Sequence, residues 1–221
     1  MSENILEDQL FEIIRNKEMP TNIKFHKIDM IFRLGLDVNH KKCEGITALM
    51  DACQIGDFEV ANFLIEKGAN VNETDGGNRT ALMRSCLNGH KEVTELLIEN
   101  GADINLQNKI GWTALMMASE GGYKEIVKML IDKGADVNVS TVFYETALMK
   151  AVEKNHVEVV EILISKGADV NAKNEEGQKA IMLAKDDEMK KIIIEAVKKR
   201  NDKAGENVVI QGLKENSSFN L

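Results

Sequence analysis

Histidine and cysteine are the side chains best suited to catalysis or metal binding in this 221-residue chain, and neither type forms a recognisable site. The residues concerned are His26, His40, His90, His156, Cys43, Cys53 and Cys86. No pair has the C-x-x-C or H-E-x-x-H spacing that places two ligands on one metal ion. No nucleophile or carboxylate recurs beside the last two histidines, as covalent catalysis would require. We therefore predict a non-enzymatic protein without metal or cofactor.

The spacing of these residues indicates a repeated structure instead. Cys53 and Cys86 lie 33 residues apart, and His90 and His156 lie two such intervals apart. On adjacent packed helices, about 8–10 Å apart, the two cysteines would be too distant for a disulfide, so we expect buried thiols. Cys43 is expected in a loop. The two glycines of "DGGN" (75–78) predict a turn and not a nucleotide site, because no strand-to-helix phosphate loop surrounds them.

Methionine is also frequent, and its spacing follows the same interval. The tetrapeptide "TALM" occurs at 47–50, 80–83, 113–116 and 146–149, and "KAIM" follows at 179–182. A methionine-rich copper or haem site is one interpretation. The other is a stacked core column, which methionine suits because it fills irregular gaps. We favour the column, and assign to it Met50, Met83, Met116, Met149 and Met182.

Each 33-residue interval contains the signals for two short helices. Thr47 and its equivalents precede an apolar run, where a threonine hydroxyl can cap a helix N-terminus. Gly68 and its equivalents follow the second apolar run, where glycine allows a left-handed cap. Apolar spacing of i, i+3, i+4 predicts one buried stripe per helix over 48–54 and 59–66. Two helices this short cannot bury their own apolar face, so neighbouring units must stack.

Composition restricts the partners and the compartment. The net charge of −8 and the lack of a basic stripe make nucleic acid a poor candidate. The longest apolar runs are far too short to span a membrane. Three cysteines form no disulfide framework and the N-terminus carries acids where a secretory signal carries cations, so we expect a cytoplasmic protein. We also expect it to be a monomer by itself.

These marks together resemble the ankyrin repeat. The segment "GWTALMMASEGGYKEIVKMLIDKGADVN" (111–138) follows the family pattern at most positions, with Ala for the usual Pro and Met for the usual His. The resemblance implies an all-α repeat solenoid of about six stacked helix-turn-helix units with extended, β-hairpin-like loops. We expect an N-terminal cap over 1–41, repeats over 42–74, 75–107, 108–140 and 141–173, a C-terminal cap over 174–200, and a tail over 201–221.

In this family the loop tips and inner helices form a concave surface that binds other proteins. The tip residues that we expect to contact a partner are Ile46, Arg79, Ile110, Trp112, Val142, Phe143, Tyr144 and Glu145. On the inner helices we expect a mixed-charge, solvent-facing rim that includes Arg84, Leu87, Met117, Glu120 and Lys150. An aromatic and arginine cluster is typical of an interface hot spot. Trp112 also has a second interpretation, as a residue packed across its own loops.

The sequence predicts a non-catalytic module that binds a partner protein, as an inhibitor, an immunity-type antagonist or an adaptor. The alternative is an array that senses RNA or a small molecule, for which a groove needs cations and stacking rings. The candidates for that role are Arg79, Lys109, Trp112 and Lys150.

Overall fold

The computed structural model describes residues 3–204 and consists of paired helices joined by turns and hairpin-like loops. The first unit contains α1 (Glu3–Arg15) and α2 (Thr21–Arg33). The next two contain α3 (Ala48–Ile55) with α4 (Phe58–Glu66), and α5 (Ala81–Leu87) with α6 (Lys91–Glu99). The fourth and fifth contain α7 (Ala114–Gly121) with α8 (Lys124–Asp132), and α9 (Ala147–Glu153) with α10 (Val157–Ser165). In the last unit a 3-10 helix (Ala180–Leu183) precedes α11 (Asp187–Ala204).

The units stack in chain order. The first helix of each unit packs against the first helix of the next, and the second helices do the same. We call these two layers the inner and the outer helices. The all-α repeat solenoid is therefore confirmed, with six units. The loops show β-type pairing only as single bridges within residues 3–204, joining Lys41 to Thr47, Ser140 to Thr146 and Lys173 to Lys179.

The threonine caps are confirmed. The hydroxyls of Thr47, Thr80, Thr113 and Thr146 each accept a hydrogen bond from the backbone N–H three residues later, at 3.2–3.4 Å. That N–H belongs in each case to the methionine of the column, whose side chain is 1% exposed in all four units. The cap and the core column are thus set by the same tetrapeptide.

The assignment of Met182 to the buried core column was wrong. Met182 is 54% exposed and lies in a 3-10 helix for which Lys179 supplies no side-chain cap. No following unit packs over it within the described residues. The outer helix α11 also extends to Ala204, four residues beyond the expected boundary at 200. The rest of the expected tail lies outside the described residues.

A ladder of asparagine side chains, which was not predicted from the sequence, joins the units. Asn72 donates to the carbonyl of Gly101 at 3.0 Å and accepts from the backbone N–H of Asp103 at 2.8 Å. The same pair of bonds recurs at Asn39, Asn105 and Asn138. The signal was available, since each asparagine ends the recurring "D/N-x-N" turn. These exposed hydrogen bonds bridge successive units and repeat at the same spacing along the array.

The turns between paired helices carry a ring that touches the preceding unit. His90 Nε2 lies 3.1 Å from the carbonyl oxygen of Gln54, and His156 Nε2 lies 2.8 Å from that of Glu120. A side chain at Gly56 or Gly122 would collide with these rings at 2.5 Å. The two histidines are therefore structural, as predicted.

Candidate functional site

The loop tips form a continuous edge along one side of the array. We define tips 1 to 5 as residues 43–46, 76–79, 109–112, 142–145 and 175–178. Backbone hydrogen bonds join each tip to the next: Gly76 N to Glu44 O at 2.6 Å, Lys109 N to Gly77 O at 3.0 Å, Val142 N to Ile110 O at 3.1 Å, and Glu175 N to Phe143 O at 2.9 Å. We call this edge the tip ribbon. The backbones of adjacent tips are consequently held at fixed separations.

A polar side chain at the base holds each of tips 2 to 5. Asp75 Oδ1 accepts from the backbone N–H of Gly77 and Arg79, and Asn108 Oδ1 accepts from those of Ile110 and Trp112, all at 2.8–3.0 Å. Thr141 Oγ1 does the same for Phe143 and Glu145 at 3.2 Å, and Asn174 Oδ1 accepts from Gln178 at 2.8 Å. These residues were not predicted from the sequence, although they share the 33-residue interval. Side-chain oxygens that accept from nearby backbone N–H groups stabilise turns.

Tips 3 and 4 present a contiguous apolar cluster to solvent. Ile110 is 47% exposed, Val142 58%, Phe143 48% and Tyr144 61%. Ile110 and Val142 lie side by side, because their backbones are hydrogen-bonded. Exposed large apolar side chains are ordinary when scattered, but a contiguous group indicates a binding surface. We call these four residues the apolar tip cluster.

Tyr144 occupies a left-handed backbone conformation, with φ at +59°. The equivalent positions of the other tips are Gly45, Asn78, Gly111 and Gly177, all at positive φ. Glycine and asparagine tolerate this region, whereas other L-residues lose about 1–2 kcal/mol there. A bulky residue held in such a conformation at an exposed site is a pointer to function.

Trp112, the last residue of tip 3, is more buried than the residues of the apolar tip cluster. Its ring is partly buried against the core, and Lys150 Nζ lies 5.3 Å from the ring centroid. Lys150 is itself only 8% exposed and is paired with Glu145 at 2.6 Å and with Glu153 at 3.4 Å. Burial acts to lower the pKa of Lys150, but the two carboxylates outweigh it and raise the pKa above its usual value. This arrangement agrees with the packing interpretation of Trp112, while its remaining exposed surface keeps it available to a partner.

Tip 2 contains a second buried ionic cluster. The carboxylate of Asp75 is fully buried and accepts from Arg79 Nε at 2.8 Å and from Arg84 Nη2 at 2.6 Å, and Arg84 also donates to the amide oxygen of Gln54. Burial acts to raise the pKa of Asp75. The hydrogen bonds from the backbone and side chain of Arg79, from the backbone of Gly77 and from Arg84 outweigh it, and the pKa lies below its usual value.

The expectation of a solvent-facing rim on the inner helices is therefore wrong for three residues. Arg84 is 8% exposed, Met117 5% and Lys150 8%, because each inner helix is covered by the loops and by the adjacent units. Glu120 is partly buried and paired with Lys154 at 3.3 Å. Leu87 alone of the five is exposed, at 47%.

The remaining candidates divide between the tips. Ile46 is half-buried at tip 1, two tips away from the apolar tip cluster. Arg79 is exposed but forms an ion pair with Asp75, and Lys150 is paired with carboxylates. The groove of free cations and stacking rings that an RNA-binding array needs is consequently not assembled from Arg79, Lys109, Trp112 and Lys150.

The histidines and cysteines form no reactive arrangement in the described part of the chain. No group of three or more His, Cys, Asp or Glu side chains between residues 3 and 204 is placed to hold a metal ion. Cys53 and Cys86 are fully buried free thiols, as predicted, and Cys43 is an exposed free thiol. Burial raises the pKa of Cys53 strongly and that of Cys86 to about 12, so both remain protonated and unreactive at neutral pH. Likewise, none of the helices between residues 3 and 204 has the length and apolar character needed to cross a bilayer.

Comparison with known families agrees with this architecture. A family model described as "Ankyrin repeats (3 copies)" matches residues 22–108, 78–141 and 102–174, which together exceed half of the chain. No curated protein matches the sequence. Ankyrin repeats generally mediate protein–protein interactions and are generally non-catalytic. The repeated helix pairs, the threonine caps, the hairpin-like tips and this match lead to one conclusion: the chain belongs to the ankyrin-repeat family.

Proposed function

We propose that this chain is a non-catalytic module that binds a partner protein through tips 3 and 4. The observation that carries the proposal is the apolar tip cluster, in which four large side chains are each about half exposed on adjacent, backbone-linked tips. Aromatic anchors at the centre of an interface supply a large share of the binding free energy. Lys150 would support the contact indirectly, through its ion pair with Glu145 and its contact with the Trp112 ring.

The rigidity of tip 4 supports the same role. The Thr141 hydroxyl accepts a hydrogen bond from the backbone of the turn, and Lys150 donates one to the Glu145 carboxylate. Val142 is hydrogen-bonded to the neighbouring tip. A loop that is already ordered loses little conformational entropy on binding, so more of the contact energy appears as affinity.

We further propose that binding acts on the partner as inhibition, immunity-type antagonism or assembly through an adaptor, in a cytoplasmic setting. The three free thiols between residues 3 and 204 support a reducing compartment. Adding the purified chain to the isolated partner would distinguish these outputs. Loss of the partner's activity would indicate an inhibitor or antagonist, whereas recruitment of a third component would indicate an adaptor.

Affinity capture from native lysate tests the site. We expect Phe143→Ala combined with Tyr144→Ala to abolish capture, since the loss of a true anchor costs about 2 kcal/mol or more. Phe58→Ala is the matched control, because Phe58 is 40% exposed on the outer helix α4, away from the tips. Circular dichroism should be unchanged for both variants. Capture that survives the double substitution would place the binding site elsewhere.

A further inference from the structure

Tips 3, 4 and 5 expose side chains of different charge and polarity, and their order along the ribbon indicates which side chains a partner should present. Tip 3 exposes Lys109 beside Ile110, tip 4 exposes Val142, Phe143 and Tyr144, and tip 5 exposes Glu175 and Glu176. The hydrogen bonds between tips fix the sequence cation, apolar surface, acid along the ribbon. This inference rests on the proposed function and specifies what the same site would accept.

The charges at the two ends are available to a partner. Within residues 3–204, no oppositely charged side chain lies within ion-pair distance of Lys109, Glu175 or Glu176. In contrast, Arg79, Glu145 and Lys150 are neutralised by their neighbours. Unpaired charges that flank an apolar contact select the partner's sign and its orientation.

The ribbon has the dimensions of a short extended segment. Each tip contributes two chain passes spaced about 4.8 Å apart, so neighbouring tips are separated by about 10 Å. Tips 3 to 5 therefore span about 20 Å, which corresponds to about six residues of extended chain at about 3.3 Å each. One short peptide segment can contact all three zones.

Tyr144 identifies the middle zone as the main contact. Glycine or asparagine occupies its position in every other tip, and the strained conformation of Tyr144 contributes no stability that could account for it. Its side chain is the most exposed of the apolar tip cluster, at 61%. The exposed ring is available for a partner to bury.

We propose that the partner presents a protein segment with apolar side chains flanked on one side by Lys or Arg and on the other by Asp or Glu. The apolar residues contact tip 4, the basic residues face Glu175 and Glu176, and the acid faces Lys109. The excess of negative charge, −8 over the whole chain, also favours a partner with a basic surface.

Selection from a random 16-residue peptide library displayed on phage tests this directly. The immobilised full chain is the bait, enriched peptides are synthesised, and their Kd values are measured by fluorescence anisotropy at low and high salt. We expect enriched peptides to carry an apolar run beside Lys or Arg. Glu175→Lys with Glu176→Lys should weaken binding about tenfold at low salt and less at high salt, because salt screens exposed charges.

Two variants make the result decisive. Glu95→Lys with Glu161→Lys introduces the same charge change at exposed positions of outer helices α6 and α10, and should alter Kd less than about twofold. Phe143→Ser with Tyr144→Asn should weaken binding at least tenfold, as loss of an anchor does. A selection repeated on the Glu175→Lys, Glu176→Lys bait should enrich acidic residues in place of basic ones.

Each contrary outcome identifies what is wrong. No enrichment, or enriched peptides without basic residues, overturns the inference about the partner. Peptides that lose affinity with the Phe143 and Tyr144 substitutions but not with the glutamate reversals also overturn it, while the proposed function stands. If neither peptide binding nor capture of the partner protein depends on Phe143 and Tyr144, the proposed function fails as well.

Discussion

The backbone strain at Tyr144 can be tested by replacing it, and its neighbour Phe143, with glycine and with alanine. The difference in stability between the two replacements should have opposite signs at the two positions. At an ordinary position, replacement by glycine leaves a protein about 0.5–1 kcal/mol less stable than replacement by alanine, since glycine has more freedom to lose on folding. At Tyr144, where φ is +59°, alanine retains the left-handed penalty of about 1–2 kcal/mol and glycine does not. Glycine should therefore be the more stable replacement at 144, by about 0.5–1 kcal/mol.

Phe143 is the matched control. It lies on the same tip, is 48% exposed against 61% for Tyr144, and does not have positive φ. Comparing Gly with Ala at each position cancels the packing energy of the aromatic ring, because both replacements remove that ring. We expect the glycine variant to be more stable than the alanine variant at position 144, and the alanine variant to be more stable than the glycine variant at position 143.

Urea unfolding followed by circular dichroism measures both differences. The slope of the free energy against urea should be equal within each Gly/Ala pair, so that the midpoints report stability alone. If Tyr144→Gly is less stable than Tyr144→Ala by the same amount as at 143, the tip is not strained. The reasoning from strain to function would then lose its basis.

Three further perturbations test the scaffold. Thr113→Ala should lower the free energy of unfolding by about 1 kcal/mol in urea titrations, because Met116 N–H loses its acceptor, while Thr113→Ser should restore most of it. Gly122→Ala should destabilise more than Gly134→Ala by about 1–3 kcal/mol in the same assay: both have positive φ, but only at Gly122 would the new carbon lie 2.5 Å from His156. A difference that persists in a His156→Ala background would contradict this explanation. Asp75 has a pKa below its usual value, so its stabilising contribution is present above the unfolded-state pKa of about 3.9 and is lost as the pH falls through the lower folded-state pKa. Unfolding measured from pH 7 to pH 3 should therefore show a smaller acid-induced loss for Asp75→Asn than for the natural chain, and equal losses would exclude Asp75 as a contributor.

The features predictable from the sequence are those that depend on local chemistry at a fixed register. A threonine hydroxyl reaches the N–H three residues later whatever surrounds it, and glycine adopts positive φ wherever a helix must end tightly. The caps at Thr47 and its equivalents and the turns at Gly68 and its equivalents were accordingly confirmed. Tyr144 was predictable by the same logic, since its register places it at a glycine position.

Burial and pairing of charged side chains were not predictable in this way. The interval shows that Arg84, Met117 and Lys150 share a position, but it does not show that loops from the same units cover that position. A buried charge is tolerated only with a partner, and here partners come from the loops: Asp75, at the base of tip 2, pairs with Arg84, and Glu145, in tip 4, pairs with Lys150. Each pair depends on the fold of a loop that has no regular pattern.

These buried pairs explain why a tip can carry an aromatic residue in a strained conformation. Opening of tip 4 would relieve the conformational penalty at Tyr144. The interactions that hold the tip closed must therefore stabilise it by more than this penalty. Lys150 forms an ion pair with Glu145, and the Thr141 hydroxyl accepts hydrogen bonds from two backbone N–H groups of the tip. The hydrogen bond from the Val142 N–H joins the tip to its neighbour. Opening the tip would separate Glu145 from Lys150 and leave this largely buried ammonium with only its more distant partner, Glu153, so the ion pair opposes opening. The residues beneath the tip therefore keep Phe143 and Tyr144 exposed, and this connects the scaffold to binding.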